Sequence, residues 1–122
     1  MKQLEVVFCG NSVYLSGLAA SLRPDPRLRV TQLDAPPAKA LGDLRLLAPH
    51  AIIAEESGPD AVAALTQADP RLAVIHIDAA SDTLAVLTGR RPGAAPVADL
   101  TRVLLDASLE PAHERTDYHA QR

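Results

Sequence analysis

The sequence is poor in aromatic residues, and this shortage excludes a class of partner. Phe, Tyr and Trp together make up 2% of the 122 residues, and Trp is absent. The chain therefore lacks the stacking side chains on which single-stranded nucleic-acid binders depend. A formal net charge of -3 also gives no electrostatic attraction to DNA, RNA or anionic lipid. We expect neither a nucleic acid nor a membrane as partner.

Cysteine and long apolar runs are also lacking. The single cysteine, Cys9, excludes an internal disulfide and a zinc site built on paired cysteines. No apolar run approaches the roughly 20 residues that span a bilayer. The predicted first strand starts at Leu4 and leaves no room for a signal peptide. We expect a cytoplasmic protein whose core is built from Leu, Val, Ile and Ala.

What the sequence does contain is an alternation of strand and helix patterns. Short continuous apolar runs are typical of strands buried on both faces, and apolar residues at i, i+3, i+4 and i+7 indicate a helix face. Strands are predicted at 4–8, 28–33, 51–54 and 72–77, and helices at 13–22, 37–48, 60–68 and from Pro96 onward. Such an alternation predicts an α/β domain with a parallel sheet.

Two short segments of the chain repeat one another. Residues 25–30 and 69–74 match at five of six positions, and both begin Asp-Pro-Arg-Leu. Each lies where a predicted helix gives way to a predicted strand. We expect the same turn chemistry at both places.

The alternation breaks after the fourth strand. Only residues 79–82 separate it from the next apolar run, 83–88. A parallel crossover needs a dozen or more residues, so this connection predicts a hairpin and an antiparallel fifth strand at the sheet edge. Residues 89–95 are predicted to form a loop. Residues 110–122 are polar and aperiodic and are expected to be a disordered tail.

This order of elements resembles the receiver domain of two-component response regulators over about residues 3–108. The most specific segment is 49–55, which is similar to the proline-aspartate-apolar run that ends in the receiver's phosphoacceptor. The resemblance implies a flavodoxin-like, three-layer α/β sandwich over residues 1–109. Its five-stranded sheet would have the order 2-1-3-4-5, with strand 5 antiparallel at the edge and the usual fourth helix missing.

The resemblance also assigns positions to a receiver's active site. Glu55 stands at the phosphoacceptor, Cys9 and Gly10 at the acidic pair that holds Mg²⁺, Asp78 or Ala79 at the hydroxyl, and Arg90 or Arg91 at the invariant lysine. At these positions Mg²⁺ would lose most of its oxygen ligands. Because glutamate is one methylene longer than aspartate, its carboxylate would lie out of position for in-line attack on the phosphoryl group. This implies a non-enzymatic pseudo-receiver without metal or cofactor, which is not switched by phosphorylation.

The crevice formed by Cys9, Gly10, Asn11 and Ser12 has a second interpretation. A cysteine before a small-residue loop resembles the phosphocysteine of the IIB components of sugar phosphotransferase systems, where a helix N-terminus lowers the thiol pKa. The alternative is thus a small-molecule or phosphate-handling domain that uses this crevice together with Glu55. A tyrosine phosphatase is excluded because residues 10–22 contain no Arg or Lys. Simple structural roles compete with the receiver-like and the IIB-like interpretations. Cys9 would be a small buried hydrophobic residue, and Asn11 and Ser12 would be helix caps.

Other polar residues are expected to have structural or solvated roles. Asp34, Glu55 and Asp78 follow strands and form a possible acidic rim, which parallel sheets also produce by default. His76, within the fourth strand, is predicted to be a hydrogen-bonded core residue. None of the four histidines has a partner at ligand spacing, so no zinc site is predicted.

Loss of the fourth helix predicts where a protein partner would bind. Strand 5 and the apolar side of the last helix would be exposed, and an exposed edge strand is a template for pairing. The interface candidates are Leu84, Val86, Val103 and Leu104. We expect a protein partner there, and a second copy of the chain is one candidate.

Overall fold

The fold is an α/β arrangement around one mixed sheet. A computed structural model describes residues 3–56, 58–88 and 93–106. Six strands are present in this part of the chain: β1 (Leu4–Cys9), β2 (Leu28–Leu33), β3 (Ala51–Ala54), β4 (Ala73–Asp78), β5 (Thr83–Val86) and β6 (Gly93–Pro96). Five of these strands lie within a residue or two of the predicted runs, since apolar segments between turns have few alternatives.

Four α-helices accompany the sheet in the described residues. They are α1 (Val13–Leu22), α2 (Leu41–Leu47), α3 (Pro59–Ala68) and α4, whose described part is residues 100–106. The prolines expected to start helices instead open single 3₁₀ turns, Pro37–Lys39 before α2 and Val97–Asp99 before α4. Within the described residues, no helix has the length and apolar character to cross a membrane.

The sheet has the order β2-β1-β3-β4-β5-β6. β2, β1, β3 and β4 are parallel, and β5 runs antiparallel to β4, with Asp78 opposite Thr83 and Ile75 opposite Val86. The antiparallel hairpin predicted from the four-residue connection is confirmed. No helix lies between β4 and β5, because residues 79–82 make a turn.

The sixth strand corrects the expectation of five. β6 pairs antiparallel with β5 over its whole length, from Thr83 opposite Pro96 to Val86 opposite Gly93. The predictions of a loop through Ala95 and of an edge at β5 are both wrong. Gly-Ala-Ala-Pro has little strand propensity of its own. It becomes a strand because β5 offers an unpaired edge and Ala95 packs against the core.

Two apolar clusters lie on the two faces of the sheet, which gives three layers. One lies under α1 and α4 and contains Phe8, Ile53 and Ile75 together with Leu15 and Leu104. The other lies under α2 and α3 and includes Val7, Ile52 and Val74 with Leu44 and Leu65. Consecutive strand residues alternate between the clusters, as the pleat requires.

In the described part of the chain, β5 and β6 have a helical layer on a single face of the sheet. Leu84, Val86 and Ala95 of β5 and β6 belong to the cluster under α1 and α4, whereas no described residue of either strand belongs to the other cluster. We call the opposite side the bare face; its residues are Thr83, Ala85, Ala94 and Pro96. Three of these side chains are exposed and Ala85 is half-buried. The bare face exists because a turn replaces the helix between β4 and β5.

The predicted repeat of turn chemistry is confirmed. Asp25 Oδ1 accepts the backbone N–H of Arg27 at 2.9 Å, and Asp69 Oδ1 accepts that of Arg71 at 3.1 Å. In both turns the aspartate carbonyl also accepts the N–H three residues later, that of Leu28 or Leu72. An Asx turn with proline at its second position thus leads into both β2 and β4.

Candidate functional site

The candidate site is a crevice beyond the carboxyl ends of β1 and β3. The chain leaves β1 for α1 on one face of the sheet and leaves β3 for α3 on the other, so the loops separate. Open α/β sheets place ligands at such a switch point. The crevice encloses about 270 Å³ and is lined by Cys9, Gly10, Asn11, Ser12, Leu15, Asp34, Pro36, Glu55 and Glu56. Six residues were predicted from the sequence to form this crevice. Five of them line it, namely Cys9, Gly10, Asn11, Ser12 and Glu55, and the sixth, Asp78, is not among the lining residues.

Cys9 is the last residue of β1 and is buried among apolar residues. It is 2% exposed and belongs to the cluster under α2 and α3. Burial raises the pKa of its thiol to about 12. A thiol in this environment is protonated at neutral pH, whereas a nucleophilic cysteine needs the thiolate.

Gly10 is required by the backbone. Its φ of +139° is one that side-chain-bearing residues rarely adopt, and a Cβ there would lie 2.9 Å from Leu15 Cδ1. Its N–H donates to the carbonyl of Leu33 at 2.8 Å, and its carbonyl accepts from Gln32 Nε2 at 3.0 Å. The glycine therefore permits close packing between α1 and the end of β1.

Ser12 is a helix cap, as one of the two interpretations predicted. Its Oγ accepts the N–H of Leu15 at 3.1 Å, which satisfies a donor at the start of α1. Asn11 is exposed and is not the cap. Gln32, which the sequence analysis did not single out, binds Ser16 Oγ at 2.9 Å as well as Gly10. It holds α1 against β2, and no local pattern marks it.

The lining of the crevice is acidic. Asp34 and Glu56 are exposed and Glu55 is half-buried, and no Lys or Arg is among the lining residues that the structure describes. In the described part of the chain, no three His, Cys, Asp or Glu side chains come together in a way that could hold a metal ion. The carboxylates of the described lining would repel a phosphate. They also do not form a ready-made site for a divalent cation.

Asp78 stabilises the turn after β4. Its Oδ1 accepts the N–H of Ala80 at 3.0 Å. A hydrogen bond from Ser81, followed by that of the Ala80 backbone, holds the pKa of this carboxyl below its usual value. Asp78 is therefore a turn residue outside the crevice, although the sequence analysis placed it there.

A contact that the sequence analysis missed joins α1 to this turn. The hydroxyl of Tyr14 donates to Asp82 Oδ1 across 68 residues of sequence. This hydrogen bond, together with the nearby carboxylates of Glu55 and Asp78, raises the pKa of Tyr14 to about 12. Asp82 has a left-handed φ of +59°. Neither residue stands in a recognisable motif, so only the folded chain reveals the pair.

His50 and His76 are the two histidines in the described part of the chain, and both lie within or beside strands of the sheet. His50 Nδ1 accepts the N–H of Glu5 at 2.9 Å and so ties the start of β3 to β1. His76 Nδ1 is buried and has no hydrogen-bond partner among the described residues. The prediction that His76 is a hydrogen-bonded core residue is wrong for this atom, because the neighbouring Ala54 and Ala85 offer no polar side chain.

The predicted interface residues are only partly accessible. Leu84 is 2% exposed and Leu104 is fully buried, since both pack in the cluster between α4 and the sheet. They are unavailable to a partner, and β6 covers the edge that was expected to be open. Val86 and Val103 are half-buried at the margin of the same cluster. Arg90, Arg91 and the predicted tail 110–122 lie outside the described residues.

Comparison of the chain with family models, with curated proteins and with solved structures gave no significant match. The resemblance to receiver domains drawn from the sequence therefore stays a prediction.

Proposed function

We propose that this protein is a non-enzymatic regulatory or scaffolding domain of receiver-like, flavodoxin-like type, which acts through protein–protein contacts and is not switched by phosphorylation. The observation that carries the proposal is the composition of the strand-end crevice. Carboxylates, a capped helix start and a buried thiol line it, and none of its described lining residues has a cationic side chain. Phosphoryl transfer needs positive charge around the transferred group.

Each receiver-like position in this crevice lacks a required group. Cys9 and Gly10 offer no carboxylate oxygen to Mg²⁺ where a receiver has its acidic pair. Glu55 supplies a constant negative charge at the acceptor position, half-buried beside Asp34 and Glu56. A permanent charge of this kind suits a domain held in one signalling state.

The IIB-like phosphocysteine alternative is the weaker one. It requires Cys9 to be ionised, accessible and surrounded by phosphate-binding donors. Its thiol is instead buried, with a pKa raised to about 12 by that burial. The neighbouring carboxylates of Asp34, Glu55 and Glu56 would also repel phosphate.

We propose a second copy of the chain as the partner, with the bare face as the contact. Residues of opposite charge lie at the two ends of β4, exposed Arg71 before it and exposed Asp78 at its end. If two bare faces met about a two-fold axis with their β4 strands antiparallel, the Arg71 end of each β4, beside the bare face, would lie towards the Asp78 end of the other. A two-fold interface must be self-complementary in this way. The small side chains of Ala85 and Ala94 permit close approach.

The oligomeric state tests the interaction part of the proposal. Sedimentation equilibrium of the wild-type chain should give a dimer, and Ala94→Arg should give a monomer because the new side chain projects from the bare face. Ala63→Arg, at an exposed position of α3, is the matched control and should remain dimeric. A wild-type monomer at all concentrations, or a dimer that survives Ala94→Arg, would contradict the contact.

Mass spectrometry tests the non-enzymatic part. After incubation with acetyl phosphate and Mg²⁺ the chain should keep its unmodified mass, because no described group holds the ion near Glu55. A phosphate adduct on Glu55 or Cys9 would overturn this part. An authentic receiver domain treated in parallel supplies the positive control.

A further inference from the structure

The contact between Tyr14 and Asp82 connects two parts of the molecule that share no local sequence. Tyr14 lies in the first turn of α1, two residues after the cap Ser12 and next to Leu15, both of which line the crevice. Its hydroxyl binds the carboxylate of Asp82, in the turn between β4 and β5. One side of this link therefore lies on the same helical turn as two crevice residues, although Tyr14 itself does not line the crevice.

The other side of the link leads to α4. The carbonyl oxygen of Asp82 accepts the N–H of Val97 at 3.0 Å. Val97 opens the 3₁₀ turn that continues into α4, and its side chain is buried. Asp82 is thus held twice, through its side chain by α1 and through its backbone by the start of α4.

The backbone of Asp82 has a conformation that depends on its surroundings. A left-handed conformation is uncommon for a residue other than glycine and persists where surrounding contacts maintain it. The φ of Asp82 is +59°. If the side-chain contact to Tyr14 is released, Asp82 loses one of these constraints, and its carbonyl no longer has to point at Val97.

We propose that Tyr14 and Asp82 form a latch that couples the crevice end of α1 to the start of α4, so that opening the latch loosens the Val97 end of α4. A group that binds the crevice and displaces Tyr14 would favour the open state by its difference in affinity for the two states. By thermodynamic linkage, loosening the start of α4 would change the affinity of the crevice for its ligand by the same factor. The latch is independent of whether the chain dimerises through the bare face.

Amide hydrogen exchange measured by NMR tests the latch. Tyr14→Phe removes only the hydroxyl, so the Val97 amide should exchange roughly two- to fivefold faster, as loss of a modest hydrogen bond implies. The Gly10 amide, bound to Leu33, should keep its wild-type rate. Ser21→Ala, which removes an exposed hydroxyl of α1 that bonds within its own helix, is the matched control and should leave both rates unchanged.

Substitutions at Asp82 separate the latch from simple loss of stability. Asp82→Asn keeps an acceptor oxygen and tolerates the left-handed conformation, so it should restore near wild-type exchange at Val97. Asp82→Gly keeps the conformation but loses the acceptor and should resemble Tyr14→Phe. Combining Tyr14→Phe with Asp82→Gly should add little, because both remove the same bond.

A spectroscopic readout identifies the bond directly. In the Tyr118→Phe background the ultraviolet absorbance of Tyr14 should titrate near pH 12 and move towards its ordinary value of 10.0 in Asp82→Gly. An unchanged Val97 exchange rate in Tyr14→Phe would overturn the latch. So would an equal acceleration of the Val97 and Gly10 amides, which would indicate a purely global effect on stability.

Discussion

At the scale of single residues, the crevice is shaped by what the backbone requires. Gly10 has a positive φ and lies against Leu15, so its lack of a side chain lets α1 approach the end of β1. Gly17, in the middle of α1, has open space where a Cβ would be. The chain thus contains a glycine that the fold needs and another that it does not.

Alanine substitutions distinguish the two glycines. Gly10→Ala should lower the free energy of unfolding by about 1–3 kcal/mol, because the new Cβ meets Leu15 and the backbone conformation is strained. Gly17→Ala should raise it by roughly 0.5–1 kcal/mol, because alanine stabilises a helix interior. Urea unfolding followed by circular dichroism measures both. Equal effects of the two substitutions would show that Gly10 has no special conformational role.

At the scale of elements, the two Asx turns show how local sequence starts a strand. The turn at Asp25 has more contacts than the turn at Asp69, because Arg27 also places its guanidinium 2.7 Å from Asp25 Oδ2. Side-chain and backbone hydrogen bonds from Arg27 lower the pKa of Asp25 to about 2. These contacts lie at the surface, and they set the register of β2 more than they stabilise the whole domain.

This difference predicts a pH dependence at the first turn. The folded pKa of Asp25 lies below its ordinary value of 3.8, so its carboxylate stabilises the fold above pH 3.8 and this contribution is lost as the pH falls through about 2. Asp25→Asn should therefore lower the urea midpoint at pH 7, and the deficit should disappear towards pH 2.

Asp69→Asn is the control for this prediction. It keeps the Asx acceptor for Arg71 and should shift the midpoint less than Asp25→Asn at pH 7. A deficit for Asp25→Asn that is the same at pH 7 and pH 2 would mean that the charge of Asp25 does not contribute.

At the scale of the whole molecule, pairing of β6 with β5 decides which residues are core and which are surface. Leu84 was expected to be exposed at an edge, yet it is 2% exposed beneath α4. Leu46, in α2, is 86% exposed. The same residue type therefore belongs to the core in one place and to the solvated surface in the other.

Truncation of these leucines measures that difference. Leu84→Ala should reduce the free energy of unfolding by about 2–5 kcal/mol, because it opens a cavity in the cluster under α4. Leu46→Ala should change it by less than about 0.5 kcal/mol. Chemical denaturation of both variants gives the comparison. A small effect of Leu84→Ala would indicate that β5 and β6 are not packed on the core as described.

Local sequence was sufficient for β1 to β4, for α1 and α3, and for the Asx turns. Their apolar periods and Asp-Pro signals act over a few residues and leave few alternatives. The four-residue connection 79–82 likewise determined that β5 is antiparallel, because chain length alone forbids a crossover. The sequence also placed Cys9, Ser12 and Glu55 at one edge, since parallel strands end together.

Only the tertiary structure decided the rest. Gly93–Pro96 has no strand pattern and becomes β6 because β5 presents an edge for it. The burial of Leu84 and Leu104, and the bare face opposite them, follow from that pairing and from which face α4 covers. The contact of Tyr14 with Asp82 joins residues 68 positions apart. Such contacts depend on how completed elements meet, and a periodic pattern along the chain does not record that.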